Sequence, residues 1–326
     1  MPVDRQTRTD PDAPVTILLA SYRGARFIGA QLDSIAAQTH RDWQLIVSDD
    51  GSDDGTPKII ADFAASRPAG QVRIVRGPSR GATQNFLHLL SIAPDGPIAF
   101  SDQDDVWFPD KLARALAALS HHQGPAHYAA RTVIADHDLR PLAPSRHFRR
   151  PLGFRNALVQ AIMAGNTSVF NAPAAAILRR CVGPAQQHDL EAHDWWAYQV
   201  TAGAGAALIH DAVPALLYRQ HPQSVMGRND TVKALSQRVG MLLAGEYGAW
   251  LAANHAALQV VRSELLPENR RILDRFGALL QRPGPVAAKE LARLGLYRQT
   301  GSGTAALYAA ALAGRLRQCG PSSPIR

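Results

Sequence analysis

Two short apolar runs in this chain each stop at a burst of carboxylates. Residues 45–47 lead into Ser48-Asp49-Asp50-Gly51-Ser52-Asp53-Asp54-Gly55-Thr56, and residues 98–100 lead into Ser101-Asp102-Gln103-Asp104-Asp105-Val106-Trp107. A short apolar run bounded by turn residues reads as a buried strand, so both clusters belong on loops at strand ends. Open α/β sheets bind ligands at such loops. Carboxylates crowded into one crevice repel unless a cation or a donor-rich ligand sits among them. Aspartates with open positions suit Mg²⁺ or Mn²⁺. The expectation is a metal-bridged nucleotide site on an α/β sheet.

The intervening sequence keeps the same rhythm. Strands are predicted over residues 15–20, 43–47, 72–75 and 97–100. Between the first two, Ile28, Leu32, Ile35 and Ala36 fall on one helical face. Thr56 is placed as a helix cap with Pro57 at the first position and Ile59, Ile60 and Phe63 facing inward. Helices are predicted over 83–92 and from Pro109-Asp110-Lys111-Leu112 to about residue 119. Alternation at this spacing implies a mainly parallel sheet with right-handed crossovers. After residue 120 the strands, at 128–134, 163–170, 206–210 and 216–219, are joined by longer connections, as in a substrate-binding half. Beyond about residue 229 the pattern is helical, over 232–243, 247–265, 269–280, 286–296 and 304–317. The domain reading is a disordered lead-in (1–14), a main domain (15–228) and a helical region (229–326).

A chain of 326 residues with 46% hydrophobic content has enough apolar material for a main core plus an appendage. Its formal charge is +8, and the excess cations gather in the helical region. Such a segment suits a nucleic acid, an anionic membrane surface or an anionic substrate. Two cysteines without CxxC spacing give no basis for a disulfide framework or structural zinc. No run reaches the roughly 18 apolar residues of a membrane span. The expected protein is soluble or peripheral, and cytoplasmic.

A dinucleotide fold would place GxGxxG after the first strand, whereas this chain has Ala20-Ser21-Tyr22-Arg23-Gly24-Ala25-Arg26. Metal therefore replaces backbone amides as the expected phosphate holder. Asp50 is suited to accept a hydrogen bond from a base edge, although loops of this type also serve as plain turns. The second cluster sets three carboxylates beside Trp107 with no Lys or Arg nearby in sequence.

In order along the chain, Ala20-Ser21-Tyr22, Ser34-Ile35-Ala36-Ala37-Gln38-Thr39, the loop 49–56 and Asp102-Gln103-Asp104-Asp105 resemble family 2 glycosyltransferases of the GT-A fold. Residues 101–107, His193-Asp194-Trp195-Trp196 and Tyr218-Arg219-Gln220-His221 resemble the rhamnosyltransferase-like branch that acts in surface polysaccharide assembly. The resemblance covers residues 15–228. It implies an inverting, Mg²⁺- or Mn²⁺-dependent transfer of rhamnose from dTDP-rhamnose to a saccharide acceptor. The lack of a membrane span favours addition of a single sugar over processive synthesis, and an acceptor carried on a polyprenyl lipid would account for a basic chain without spans. Donor contacts would fall on Ala20, Tyr22, Asp50, Asp102 and Gln103, with Asp102, Asp104, Asp105 and His221 on the metal and Arg219 on the diphosphate. Inversion in one displacement needs a base on the acceptor side. Asp194 is the candidate, with Glu191 as the alternative. Gly165, Asn166 and a platform of Trp195 and Trp196 would meet the acceptor. The strand Tyr128-Ala129-Ala130-Arg131 departs from the acidic or polar step of many relatives, so no donor-sugar contact carries over there. The basic helices would dock on the inner-membrane surface or on a second copy of the chain, and no nucleic acid is expected. The competing readings are a sugar nucleotidyltransferase and a non-catalytic nucleotide-sugar-binding protein.

Overall fold

A computed structural model describes residues 13–220 and 246–317. Its strands are β1 (Val15–Ser21), β2 (Trp43–Asp49), β3 (Val72–Arg76), β4 (Ile98–Ser101), β5 (Val106–Trp107), β6 (Ala126–Ala130), β7 (Val133–Ala135), β8 (Pro141–Pro144), β9 (Val169–Phe170), β10 (Ala207–Asp211) and β11 (Leu216–Arg219). Seven of them form a sheet in the order β10-β6-β9-β4-β1-β2-β3, and β5-β11-β7-β8 form a smaller one. All pairings in the large sheet are parallel except those of β9, which runs against both β4 and β6.

Every residue of β1 is buried, as expected for a strand covered on both faces. Successive side chains point to opposite sides. Ile17 and Leu19 pack with α1 (Ile28–Ala36) and α4 (Lys111–Ser120) through Ile28, Leu32, Leu112 and Leu116. Leu18 and Ala20 face the other core with Phe86 and Leu90 of α3 (Ala82–Ile92). That second core continues through α5 (Phe154–Ala157), α6 (Ala172–Ala185) and α7 (His193–Gly203). It then runs without a break into α8 (Glu246–Val260), α9 (Pro267–Leu280), α10 (Gly284–Leu294) and α11 (Gly301–Leu312). Hydrogen bonds reinforce the join: Tyr247 Oη donates to Val159 O at 2.6 Å, and Arg155 Nε donates to Leu294 O at 2.9 Å. No helix among the described residues is long and apolar enough to cross a membrane.

Several local expectations differ from the structure. Thr56 is the first residue of α2 (Thr56–Ala65), not its cap; Gly55 holds that position. The Thr56 hydroxyl instead accepts from Gly24 N at 2.8 Å, while Asp54 Oδ1 accepts from Thr56 N. The strand expected over 128–134 is two strands in different sheets, because β6 pairs with β9 and β10 whereas β7 pairs with β11. The strand expected over 163–170 keeps only β9, since Gly165–Thr167 coils into a 3-10 turn. The helix expected over 232–243, the 228/229 boundary, His221 and nearly all of the 1–14 lead-in lie outside the described residues.

One core residue predicts a pH response. His127 on β6 is fully buried between the hydroxyls of Thr201 and Ser168, each 3.0 Å away, and burial pushes its pKa down to about 3. The unfolded chain takes up that proton near pH 6.5, so stability is lost as the pH falls from there towards 3. The cost approaches about 1.4 kcal/mol per pH unit. Asp102, whose pKa is raised, works in the opposite direction. The comparison is therefore a difference profile: thermal melts of wild type and His127→Gln should converge as the pH drops from 7 to 5. Parallel profiles would contradict it.

Candidate active site

The loops that follow β4, β1 and β2 lie side by side, because Leu19 pairs with Ser101 and Ser21 with Asp49. Gln103 stitches the first two together. Its Oε1 accepts from Tyr22 N at 3.0 Å and its Nε2 donates to Tyr22 O at 2.9 Å, so the side chain imitates a strand partner. Gly24 leaves room for that amide, since a Cβ there would lie 2.1 Å from Gln103 Oε1. Ala20 is buried beneath, and the Tyr22 side chain is half exposed.

The first acidic cluster separates into two jobs. Asp49 accepts from Gly51 N and Ser52 N, Asp54 from Thr56 N and Ala25 N, and Asp53 pairs with Arg23 on the surface. These three shape the turn. Asp50 is buried and accepts from Ser79 N at 2.7 Å and Gly81 N at 2.8 Å, which fixes its orientation. A carboxylate has about four lone-pair sites, so acceptor capacity remains for a ligand. Gly77 allows the close approach: a Cβ there would sit 2.7 Å from Asp50 Oδ1.

The second cluster is a single knot. Asp102, Asp104 and Asp105 each offer an oxygen, and those oxygens lie within 4.8 Å of one another. Two oxygens on opposite sides of one Mg²⁺ would be about 4.2 Å apart, so the set fits a small divalent cation. Without one, the arrangement is electrostatically strained. Desolvation, then Asp104 and Asp194, push the Asp102 pKa up to about 7. Desolvation, then Asp104 and Asp102, hold Asp105 well above the usual carboxylate range.

Asp194 reaches this knot from the start of α7, where its charge acts on Asp102. Its Oδ2 accepts from Gly165 N at 3.0 Å. The next residue of the same turn, Asn166, donates its Nδ2 to Asp105 Oδ2 at 2.7 Å. Asp105 also accepts from Arg219 N at 3.3 Å. The Arg219 side chain donates to Asp104 O at 2.8 Å and His137 O at 2.6 Å, and lies over the Phe27 ring. It is 5% exposed, so it braces the loop from beneath.

Not every expected residue joins the site. Trp195 and Trp196 are core residues, with 5% and 0% exposure, and the first donates its Nε1 to Ala157 O and stacks on Tyr247. The expected sugar platform is therefore absent: the helix start turns Asp194 outward and the rings inward. Glu191 is exposed, and its pKa is raised by partial burial and then by Glu246 rather than by the aspartate knot.

Three residues of the site escaped the sequence reading. Lys111, on α4, is fully buried; its Nζ donates to Asn166 O at 2.7 Å and lies 3.2 Å from the centre of the Trp107 ring. Burial lowers its pKa well below the ordinary value, against the pull of Asp105 and Asp102. The knot thus has a lysine amine beside it after all. Gln31 is also fully buried and donates to Asp105 O at 2.7 Å while accepting from Ser101 Oγ and Trp107 Nε1. His193 stacks on Phe86 with ring centres 3.8 Å apart, and burial pushes its pKa down to about 4. Of these, Lys111 carried a cue in its position six residues past Asp105 at the start of a helix.

Comparison with known proteins adds independent findings. The model of glycosyl transferase family 2 matches residues 16–182. The chain is similar to the dTDP-rhamnosyl transferase RfbG of Shigella flexneri, 26% identical over 231 residues, which cover 69% of this chain and 78% of that protein. It is also similar to the UDP-Glc:alpha-D-GlcNAc-diphosphoundecaprenol beta-1,3-glucosyltransferase WfgD of Escherichia coli. There the identity is 31% over 109 residues, covering 33% of this chain and 42% of that protein. Among solved structures, residues 1–349 of S. aureus TarS in complex with UDP-GlcNAc match with a TM-score of 0.54 and 13% identity, over 87% of this chain and 93% of that one. The last likeness concerns the fold, a mainly parallel α/β sheet of the GT-A type.

Proposed function

The chain belongs to glycosyl transferase family 2 and is a glycosyltransferase, and from that premise we propose an inverting, metal-dependent transfer of one sugar from a nucleoside-diphosphate donor to a saccharide acceptor. The observation that carries this reading is the knot of Asp102, Asp104 and Asp105 with Asp194 close enough to raise the Asp102 pKa. Mg²⁺ or Mn²⁺ bound there would neutralise charge on the departing diphosphate. Asp102, Asp104 and Asp105 are the proposed ligands, and His221 remains the proposed further ligand. Asp50 accepts from the base edge, with Ala20, Tyr22 and Gln103 shaping the pocket around it. Arg219 acts on the diphosphate only indirectly, by fixing Asp104 and Asp105.

Asp194 takes the acceptor hydroxyl's proton as that oxygen attacks the anomeric carbon from the face opposite the leaving diphosphate. Gly165 N steadies the carboxylate for this. The proposed donor is dTDP-rhamnose, supported by the name of the Shigella relative. A polyprenyl diphosphate acceptor is supported by the name of the Escherichia coli relative. The proposed location is the cytoplasmic face of the inner membrane. Arg271, Arg282 and Lys289 are exposed in the C-terminal helical region, and a cation near an anionic leaflet gains about 1 kcal/mol.

A thermal-shift panel of nucleoside diphosphates with and without Mn²⁺ tests metal and donor class together. Stabilisation should require metal and be largest for the thymidine nucleotide. At a concentration of one hundred times Kd it amounts to about 2.7 kcal/mol. Equal shifts without metal would overturn the metal assignment, and a preference for guanosine or uridine would overturn the donor.

A further inference from the structure

We propose that Lys111 is a positioning residue for the transfer reaction: by holding the Asn166 carbonyl it locks the turn that spaces the base Asp194 from the cluster carboxylate Asp105. This rests on the reading of Asp194 as the base.

The turn is small and its groups point to both halves of the site. Gly165 N binds Asp194 on α7, and Asn166 Nδ2 binds Asp105 in the loop after β4. Two carboxylates on separate elements repel, so a donor between them is needed to keep both in place. Within the turn, Ala164 O accepts from Thr167 N and Gly165 O from Ser168 N. The Asn166 carbonyl is taken by Lys111, reaching in from α4. Trp107, on β5 two residues past Asp105, forms the floor under the Lys111 amine. The lysine therefore ties α4, the metal loop and the acceptor turn at one point.

Packing alone does not account for a lysine here. Burying an amine, charged or neutral, costs free energy that its hydrogen bond must offset, whereas a methionine would fill similar volume without that penalty. What methionine lacks is a donor for the Asn166 carbonyl. Gly165 belongs to the same device: a Cβ there would lie 2.7 Å from His193 Nε2 and 3.1 Å from Asp194 Cβ. An alanine at that place would push the base without touching the aspartate knot.

The test uses full-length Lys111→Met, Gly165→Ala and Asp194→Asn, with kcat, donor KM, Mn²⁺ dependence of nucleoside-diphosphate binding, and circular dichroism. Misplacing a reacting group by about 1 Å can cost about a hundredfold. Lys111→Met and Gly165→Ala should each lower kcat about tenfold or more while donor KM and Mn²⁺ affinity stay within about threefold. Should Lys111→Met fail to fold, Lys111→Gln takes its place: its shorter side chain draws the donor back from the Asn166 carbonyl, so kcat should again fall with donor KM unchanged, and a wild-type kcat would overturn the inference. Wild-type kcat in the folded variants would overturn the inference, as would a kcat loss matched by equal loss of metal and donor binding. If Asp194→Asn is inactive beside a fully active Lys111→Met, only this inference falls. If Asp194→Asn itself turns over normally, the base assignment falls.

Discussion

Asp194→Asn should leave a folded protein that binds donor and metal but transfers sugar about a hundredfold to ten-thousandfold more slowly. Asparagine keeps one oxygen to accept from Gly165 N and gives up the bond that Asp194 Oδ1 accepts from Trp195 N at 2.7 Å, so circular dichroism accompanies the kinetics. What it loses is the capacity to take a proton. Donor KM should barely change, because Asp194 lies on the acceptor side of the knot. The measurement is nucleoside-diphosphate release with acceptor present. A kcat within threefold of wild type would remove Asp194 from the mechanism and turn attention to Glu191. Removal of one carboxylate beside Asp102 also relieves repulsion. Against that, a divalent cation at the knot loses the attraction of a nearby charge, so Mn²⁺ affinity should fall far less than kcat, which separates loss of the base from loss of the metal site.

Truncation before α8 should unfold the protein. Tyr247, Leu251, Leu258, Leu273, Phe276, Leu279, Leu291 and Leu307 are buried in the core that also holds Trp195, Phe154 and Leu158. Each large apolar side chain exposed costs about 1.5–3 kcal/mol, and a whole domain is stable by only about 5–15 kcal/mol. The truncation removes these eight and lays bare the side chains they cover, Trp195, Phe154 and Leu158 among them, a loss comparable to that margin. The truncated chain should bind a hydrophobic dye and lack near-ultraviolet dichroism. A soluble, cooperatively melting 1–245 fragment would show that the first 245 residues hold a sufficient core. Membrane docking is consequently better tested with charge reversals at Arg271, Arg282 and Lys289 than with a deletion.

The repeated βα units were legible because a buried parallel strand is continuously apolar and its crossover helix has a clear face, as with Ile28, Leu32 and Ile35. The acidic knot was legible for a related reason: three carboxylates in four residues have few other uses. Its surroundings were not. Lys111 reads in sequence as the polar first residue of a helix, and only the fold reveals that α4 starts inside the site. The tryptophans misled because an exposed platform and a core pair share one sequence; the phase of α7, set by the Asp194 bond to Gly165, decides between them. β5 and β9, at two residues each, are too short to carry a period. α6 was missed although Asn171 caps it by accepting from Ala174 N and proline stands in its first turn.

The strand that runs against its neighbours has a consequence for how the two substrates meet. β9 is hydrogen-bonded on both flanks, Val169 opposite Ala99 of β4 and Tyr128 of β6. The turn Gly165–Thr167 ends two residues before it, and the loop that carries the aspartate knot begins where β4 ends, at the same edge of the sheet. The turn and the aspartate loop are thus clamped to one gauge by paired backbone. Inserting a single residue at position 168 would throw Asn166 and the Asp194 anchor out of step with Asp105 while leaving every side chain of the site intact. The spacing of Asp194 from Asp105 is thus written into the backbone pairing of a two-residue strand.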